Sequence, residues 1–171
     1  IILENGKALV LSDKGLEAEF ELALADVFDH KGNDAEADAR YEELLKEFPD
    51  NTIILNAYSY ALAQRNERLD DALKMSKQTI DLQPSTGSYL HTDSYVLFLK
   101  GDYESSIKYL QKAKDLIPYE AEVLEHLADA HLKAGNTGKA VSLWKDAYEI
   151  TLSQELKKKI EKNDLGEIGI F

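Results

Sequence analysis

Residues 121–150 read AEVLEHLADAHLKAGNTGKAVSLWKDAYEI, and the spacing within this stretch decides the fold. Leu124, Leu127, Ala128 and His131 recur at intervals of three, one and three residues, which places them along one helical face. Gly135 then interrupts the pattern, and glycine readily adopts the left-handed backbone that ends a helix. Asn136 follows, a residue type suited to capping a new helix by accepting backbone N–H bonds. Ala140, Trp144 and Ala147 resume the helical period. The stretch reads as helix, tight turn, helix.

The same design recurs along the chain. Pro84 and Pro118 lie 34 residues apart, and Pro49 and Pro84 lie 35 apart. Proline cannot continue a helix, so each marks a helix end. The spacing predicts units at 18–51, 52–86, 87–120 and 121–154. Gly32, Asn66, Gly101 and Gly135 occupy the fifteenth place of each unit, and Asn33, Asp102 and Asn136 follow as candidate caps. The eighth place is small throughout, with Ala25, Ser59, Ser94 and Ala128. So is the twentieth, with Ala37, Ala72, Ser106 and Ala140, once an extra residue is allowed between Arg65 and Asp71. Small residues on facing helices let two backbones approach closely. Larger residues fill the space around them: Leu24, Phe28, Tyr41 and Leu44 in the first unit, Leu90, Leu97, Leu110 and Ala113 in the third, and Leu127, His131, Trp144 and Ala147 in the fourth. The second unit is weaker, because Ser76 and Thr79 stand at apolar or small places.

This pattern resembles the tetratricopeptide repeat (TPR), with its Leu-small-x-x-aromatic, Ala-x-x-x-aromatic and terminal Pro. Leu124 to His131 with Ala140 to Ala147 is the clearest copy, and Leu24-Ala25-x-x-Phe28 with Ala37-x-x-x-Tyr41 is close behind. The chain also resembles Bacteroidetes-type bacterial TPR proteins in segments such as Leu55 to Tyr60, Gly101 to Glu104 and Leu124 to Leu127. The repeat resemblance covers residues 18–152, or 135 of 171. It implies an all-α, right-handed superhelix of helix-turn-helix repeats. Residues 1–17 are expected to hold part of a preceding repeat, with a helix over 4–14, and residues 155–171 a capping helix and tail. Ser153 is placed to cap a last helix over roughly 154–162, with Leu156 and Ile160 on one face. Lys157, Lys158 and Lys159 are expected to point elsewhere and keep that helix soluble. Ile168 to Phe171 form an apolar tail, suited to packing on the last helix or on another molecule.

Composition narrows the function. Twenty Lys and Arg against 32 Asp and Glu give a formal charge of −12, which disfavours nucleic-acid and anionic-membrane partners. An apolar fraction of 44% supplies a core, and 3 Pro with 30% charged residues do not describe a disordered tail. With no Cys, disulfides, thiolate metal sites and cysteine nucleophiles are ruled out in this stretch. No apolar run approaches the roughly 18 residues that would span a bilayer. Ile1 is not an initiator Met, which suggests a processed chain or a piece of a longer one.

Reactive constellations are weak. Gly135-Asn136-Thr137-Gly138-Lys139-Ala140 brushes a phosphate-loop pattern, but only two residues separate the glycines and Ala140 follows the lysine, so it reads as an interhelix turn. Glu122, His126 and Asp129 share a helical face at a spacing that could seat a metal or simply form an acidic surface. Asp26 with His30 carries the same ambiguity, while His131 reads as a packed core residue. No nucleophile elbow accompanies any Ser, His and Asp set. No enzyme activity, cofactor or metal is expected.

In TPR arrays the first helix of each unit lines a concave groove, and the resemblance carries specific residues there. Asn56, Tyr60, Gln64, His91, Tyr95 and Phe98 form its expected centre. The aromatic rings would supply flat contact area, Asn56 would bind peptide backbone, and His91 would hydrogen-bond a ligand. Asp26 and Asp29 at one end, with Glu122, Glu125 and Asp129 at the other, would meet basic flanks of that ligand. The expected function is a non-enzymatic scaffold or adaptor for a protein or peptide with an apolar centre and basic flanks. The alternative is an accessory domain of a longer enzyme or secretion-assembly protein. Self-association through the tail or the open first repeat is a further possibility. The chaperone-tail clamp of some TPR domains does not fit, because Leu22, Asn56, His91 and Glu125 stand where its lysine is usual.

Overall fold

The computed structural model describes residues 14–164, and every regular element among them is helical. The order is α1 (Lys14–His30), α2 (Asp34–Glu47), α3 (Thr52–Arg65), α4 (Leu69–Leu82), α5 (Gly87–Leu99), α6 (Tyr103–Leu116), α7 (Ala121–Lys133), α8 (Thr137–Thr151) and α9 (Gln154–Asn163). Two compact units part after Leu82, the first holding α1–α4 and the second α5–α9. Helix α1 takes in residues 14–17, ahead of the first unit as spaced by sequence. The rest of the helix expected over 4–14, and the apolar tail, lie outside the described residues.

The turn chemistry follows the residue types. Gly32, Asn66, Gly101 and Gly135 all adopt positive φ, at 69°, 55°, 84° and 82°. Arg68 is also left-handed, at φ 44°, in the turn that carries the extra residue. Caps divide in two. The Asn51 side chain accepts from the Ile53 and Ile54 amides, that of Asp102 from Ser105, and that of Ser153 from Glu155 and Leu156. Asn33 and Asn136, expected as side-chain caps, make no such bond. The backbone closes the turns at all three such places, with the Asn33 amide on the Phe28 carbonyl at 2.9 Å, the Asp102 amide on the Leu97 carbonyl at 3.0 Å and the Asn136 amide on the His131 carbonyl at 2.8 Å.

Small residues set the helix separation. Ala25, Ala37, Ser59, Ala72, Ser94, Ser106, Ala128 and Ala140 are all 0% exposed. In α3, Ser59 Oγ donates to the Ala72 carbonyl of α4 at 2.8 Å, a direct measure of how closely these two helices approach. Tyr41, Leu44, Leu110, Trp144 and Ala147 fill the surrounding space and are buried. Ser76 and Thr79 are also fully buried. Their hydroxyls donate within α4 to the Leu73 and Ser76 carbonyls at 3.1 and 2.6 Å, so polar side chains are tolerated at small places.

In the second unit α5 and α7 meet through an imidazole pair. His91 Nε2 lies 2.8 Å from His126 Nδ1, one nitrogen donating to the other. The Tyr95 ring stacks on His126 at 4.2 Å, within 3° of parallel. Burial lowers the pKa of both histidines; for His126, next to His91 and Lys159, it is pushed down to about 3. Glu122 pulls the other way on His91. His131, buried in the core, is lowered too, by burial and then by Lys139.

Two outcomes follow. Gly101→Ala should cost roughly 1–2 kcal/mol from left-handed strain alone, because an added Cβ would meet nothing within 4 Å; urea unfolding measures it, with Asn66→Gly nearly neutral. The histidines accept protons less readily folded than unfolded. The stability they confer is therefore complete above the ordinary value of 6.5 and declines as pH falls from there toward about 3. Between pH 6.5 and 5, wild-type urea midpoints should fall, and a His91→Gln/His126→Gln variant should show a shallower slope.

Candidate functional site

In the first unit, α3 carries Asn56, Tyr60 and Gln64, and α1 carries Asp26 and Asp29. Gln64 is exposed, Tyr60 half-buried, and Asn56 holds its Oδ1 buried with no hydrogen-bond partner among the described residues. The two acids have internal work. Tyr41 donates its hydroxyl to Asp26 Oδ1 at 2.5 Å, and His30 Nδ1 meets the Asp26 carbonyl oxygen at 2.7 Å. Asp29 pairs with Arg65 at 3.4 Å, and Arg65 also reaches Asp34 at 3.3 Å and Asp38 at 2.5 Å. Burial raises the Asp29 pKa, and the Arg65 guanidinium offsets part of that rise. Sequence reading passed over Arg65, which gathers acids from α1 and α2 onto the end of α3.

In the second unit, α5 carries His91, Tyr95 and Phe98, and α7 carries Glu122, Glu125 and Asp129. His91 is 7% exposed and its Nε2 is engaged by His126, so the ligand hydrogen bond expected of it is instead an internal one. Tyr95 and Phe98 are half-buried. Tyr95 rests one face on His126, and Phe98 meets Tyr103 in a tilted contact at 5.6 Å. Each keeps some surface while packing fixes its position. Tyr95 is raised in pKa by burial, then by Glu122 and Asp129.

The acids of α7 correct a further expectation. Lys159 of α9 does not point away into solvent. Its Nζ sits 2.7 Å from Glu125 Oε1 and 2.9 Å from Asp129 Oδ2, above the Trp144 ring at 5.7 Å. Burial alone would lower the Lys159 pKa, but Glu125 and Asp129 turn the balance upward. Asp129 also accepts the Trp144 indole N–H at 2.8 Å. The cause is geometric: Lys159 follows Leu156 by three and precedes Ile160 by one, at the edge of the apolar face rather than opposite it. A second regularity was there to be found. Asp26 precedes Tyr41 by fifteen residues, and Asp129 precedes Trp144 by fifteen, so each acid satisfies the aromatic donor of its own helix pair.

Among the described residues no group of three His, Cys, Asp or Glu side chains could hold a metal ion. Asp26, beside His30, is engaged by Tyr41, and Asp129, on the helix of His126, by Trp144 and Lys159. Gly135 and Asn136 lie in the turn joining α7 to α8. Of the described helices, none is long and apolar enough to cross a membrane.

A tetratricopeptide-repeat family model matches residues 20–51. No curated protein matches the chain. Solved structures do. A thermophilic TPR protein of Thermus thermophilus, TTC0263, is 20% identical, with 95% of this chain and 87% of that one covered at a TM-score of 0.76. MamA from Desulfovibrio magneticus is 17% identical, over 90% and 88% of the two chains, at 0.70. PilF of Pseudomonas aeruginosa is 16% identical, over 85% and 66%, at 0.74. With paired helices, left-handed turns and small residues at the buried places, the chain has the all-α solenoid fold of tetratricopeptide-repeat proteins, and its residues 20–51 carry that repeat's sequence pattern.

Proposed function

We propose that this chain is a non-enzymatic protein-interaction scaffold, built from the four helix pairs spaced at 18–51, 52–86, 87–120 and 121–154. Within the second unit, a protein or peptide segment binds on α5, the first helix of its pair. The observation that carries this reading is the state of Tyr95 and Phe98 on α5. Both rings are pinned on one side, by His126 and by Tyr103, and both stay partly exposed. Held aromatic rings lose little entropy on binding, which is why such residues dominate interface energies. In the first unit, taken by itself, α3 carries Asn56, Tyr60 and Gln64, with the Asn56 amide suited to peptide backbone.

The acids contribute differently from what charge counting implied. Asp26, Asp29, Glu125 and Asp129 already serve Tyr41, Arg65, Lys159 and Trp144. Basic flanks of a ligand would have to displace these contacts. Apolar anchoring therefore supplies most of the affinity, and charge acts mainly on encounter rate.

Full-length protein carrying Tyr95→Ala and Phe98→Ala should lose a partner captured by wild type from cells that make it. It should still unfold cooperatively, and Phe98→Leu should restore part of the capture. Undiminished capture by the folded double variant would reject these rings as the contact surface.

A further inference from the structure

Within the second unit, α5, α7, α8 and α9 border a cleft of about 370 Å³, large enough for one or two side chains of a ligand. Phe98 and Leu132 give it an apolar lining, with the buried Trp144 beneath its floor. Lys133, Lys158 and Lys162 stand on its rim, all exposed. Asp129 also borders the cleft, but it is bound to Lys159 and to the Trp144 indole, which leaves Glu155 as the one acid among the described lining residues without such a pairing. This is a cationic rim on a chain whose formal charge is −12.

Range decides whether the local or the global charge matters. At physiological ionic strength exposed charges are screened beyond about 8 Å. A ligand seated in the cleft therefore meets the rim lysines far more strongly than the distant acids. Lysines also lay their methylene stems along apolar surface while keeping the ammonium in water, so the rim suits a ligand that is apolar inside and anionic outside.

We propose that this cleft seats an acidic peptide segment carrying a large apolar side chain, with Lys133, Lys158 and Lys162 meeting its carboxylates and Phe98 and Leu132 its apolar group, above the buried Trp144. The cleft shares Phe98 with the scaffold surface, so the assignment rests on that reading and names the chemistry of one ligand. It reverses, for this end of the chain, the basic flank expected from sequence alone. The lysines that do this come from α9 and from the end of α7.

The test uses the full chain and its single tryptophan, Trp144, as the reporter. Three six-residue peptides of the same Leu and Phe content are titrated by tryptophan emission, one with Asp at the remaining positions, one with Asn and one with Lys. The Asp peptide should bind at least tenfold more tightly than the other two, and more weakly as salt rises. Lys158→Glu/Lys162→Glu, with unchanged helix content, should weaken it tenfold or more. Equal binding of the Asp and Asn peptides overturns the charge assignment but leaves the scaffold reading standing if capture still depends on Tyr95 and Phe98. Lack of any emission change with all three overturns the cleft as a site. A dimer in light scattering that the Lys158→Glu/Lys162→Glu variant abolishes assigns the cleft to a second copy and likewise overturns the proposal.

Discussion

Close approach of two helices is the constraint from which the rest of this structure follows. Eight alanines and serines, two to each helix pair, have no exposed surface at all. A larger side chain at any of them would force the pair apart, and cores tolerate overpacking poorly. Once each pair is closed, the bulky residues have one place to go, and Tyr41 and Trp144 are driven into the interior with their polar atoms. A buried O–H or indole N–H without an acceptor is costly. Asp26 and Asp129 supply those acceptors from the neighbouring helix. The acids are thus a consequence of helix packing before they are anything to a ligand.

The same ordering decides what the surface offers. A charge of −12 invites a picture of acidic walls awaiting a basic partner. The structure distributes that charge into internal networks, around Arg65 in the first unit and Lys159 in the second. These networks engage carboxylates that a charge count leaves free for a partner, and the cleft at the end of the second unit is rimmed by Lys133, Lys158 and Lys162. Under the proposed scaffold function, the aromatic residues of α5 then carry more of the binding role than the carboxylates do.

Much of the fold was legible because it repeats. Glycine or asparagine at one place and small residues at two others, in every unit, identify turns and close contacts without reference to any partner residue. All four turn residues are left-handed and all eight small residues are buried. Side-chain pairing was less legible, because one residue's partner depends on the length and rotamer of a side chain on another helix. Even so, the period held a clue. Lys159 and Glu125 are 34 residues apart, and His91 and His126 are 35 apart, so both contacts join nearly equivalent places in successive units. Reading each helix alone placed Lys159 in solvent and His91 on a free surface; reading the same places one period apart would have paired them. The cap positions Asn33 and Asn136 failed in another way. The residue type permits a side-chain cap, but residue type alone does not set the side-chain rotamer: Asp102 makes the same backbone turn bond and caps, and nothing in the structure explains why Asn33 and Asn136 do not.

Site-specific photocrosslinking in the cells that make the protein tests the scaffold reading most directly. A benzoylphenylalanine at Phe98 is compared with one at Tyr119, which is 85% exposed and lies in the turn between α6 and α7. A discrete protein adduct at Phe98 and none at Tyr119 is the result expected of a working surface on α5. Adducts at Tyr119 alone, or equal adducts at both, would contradict it.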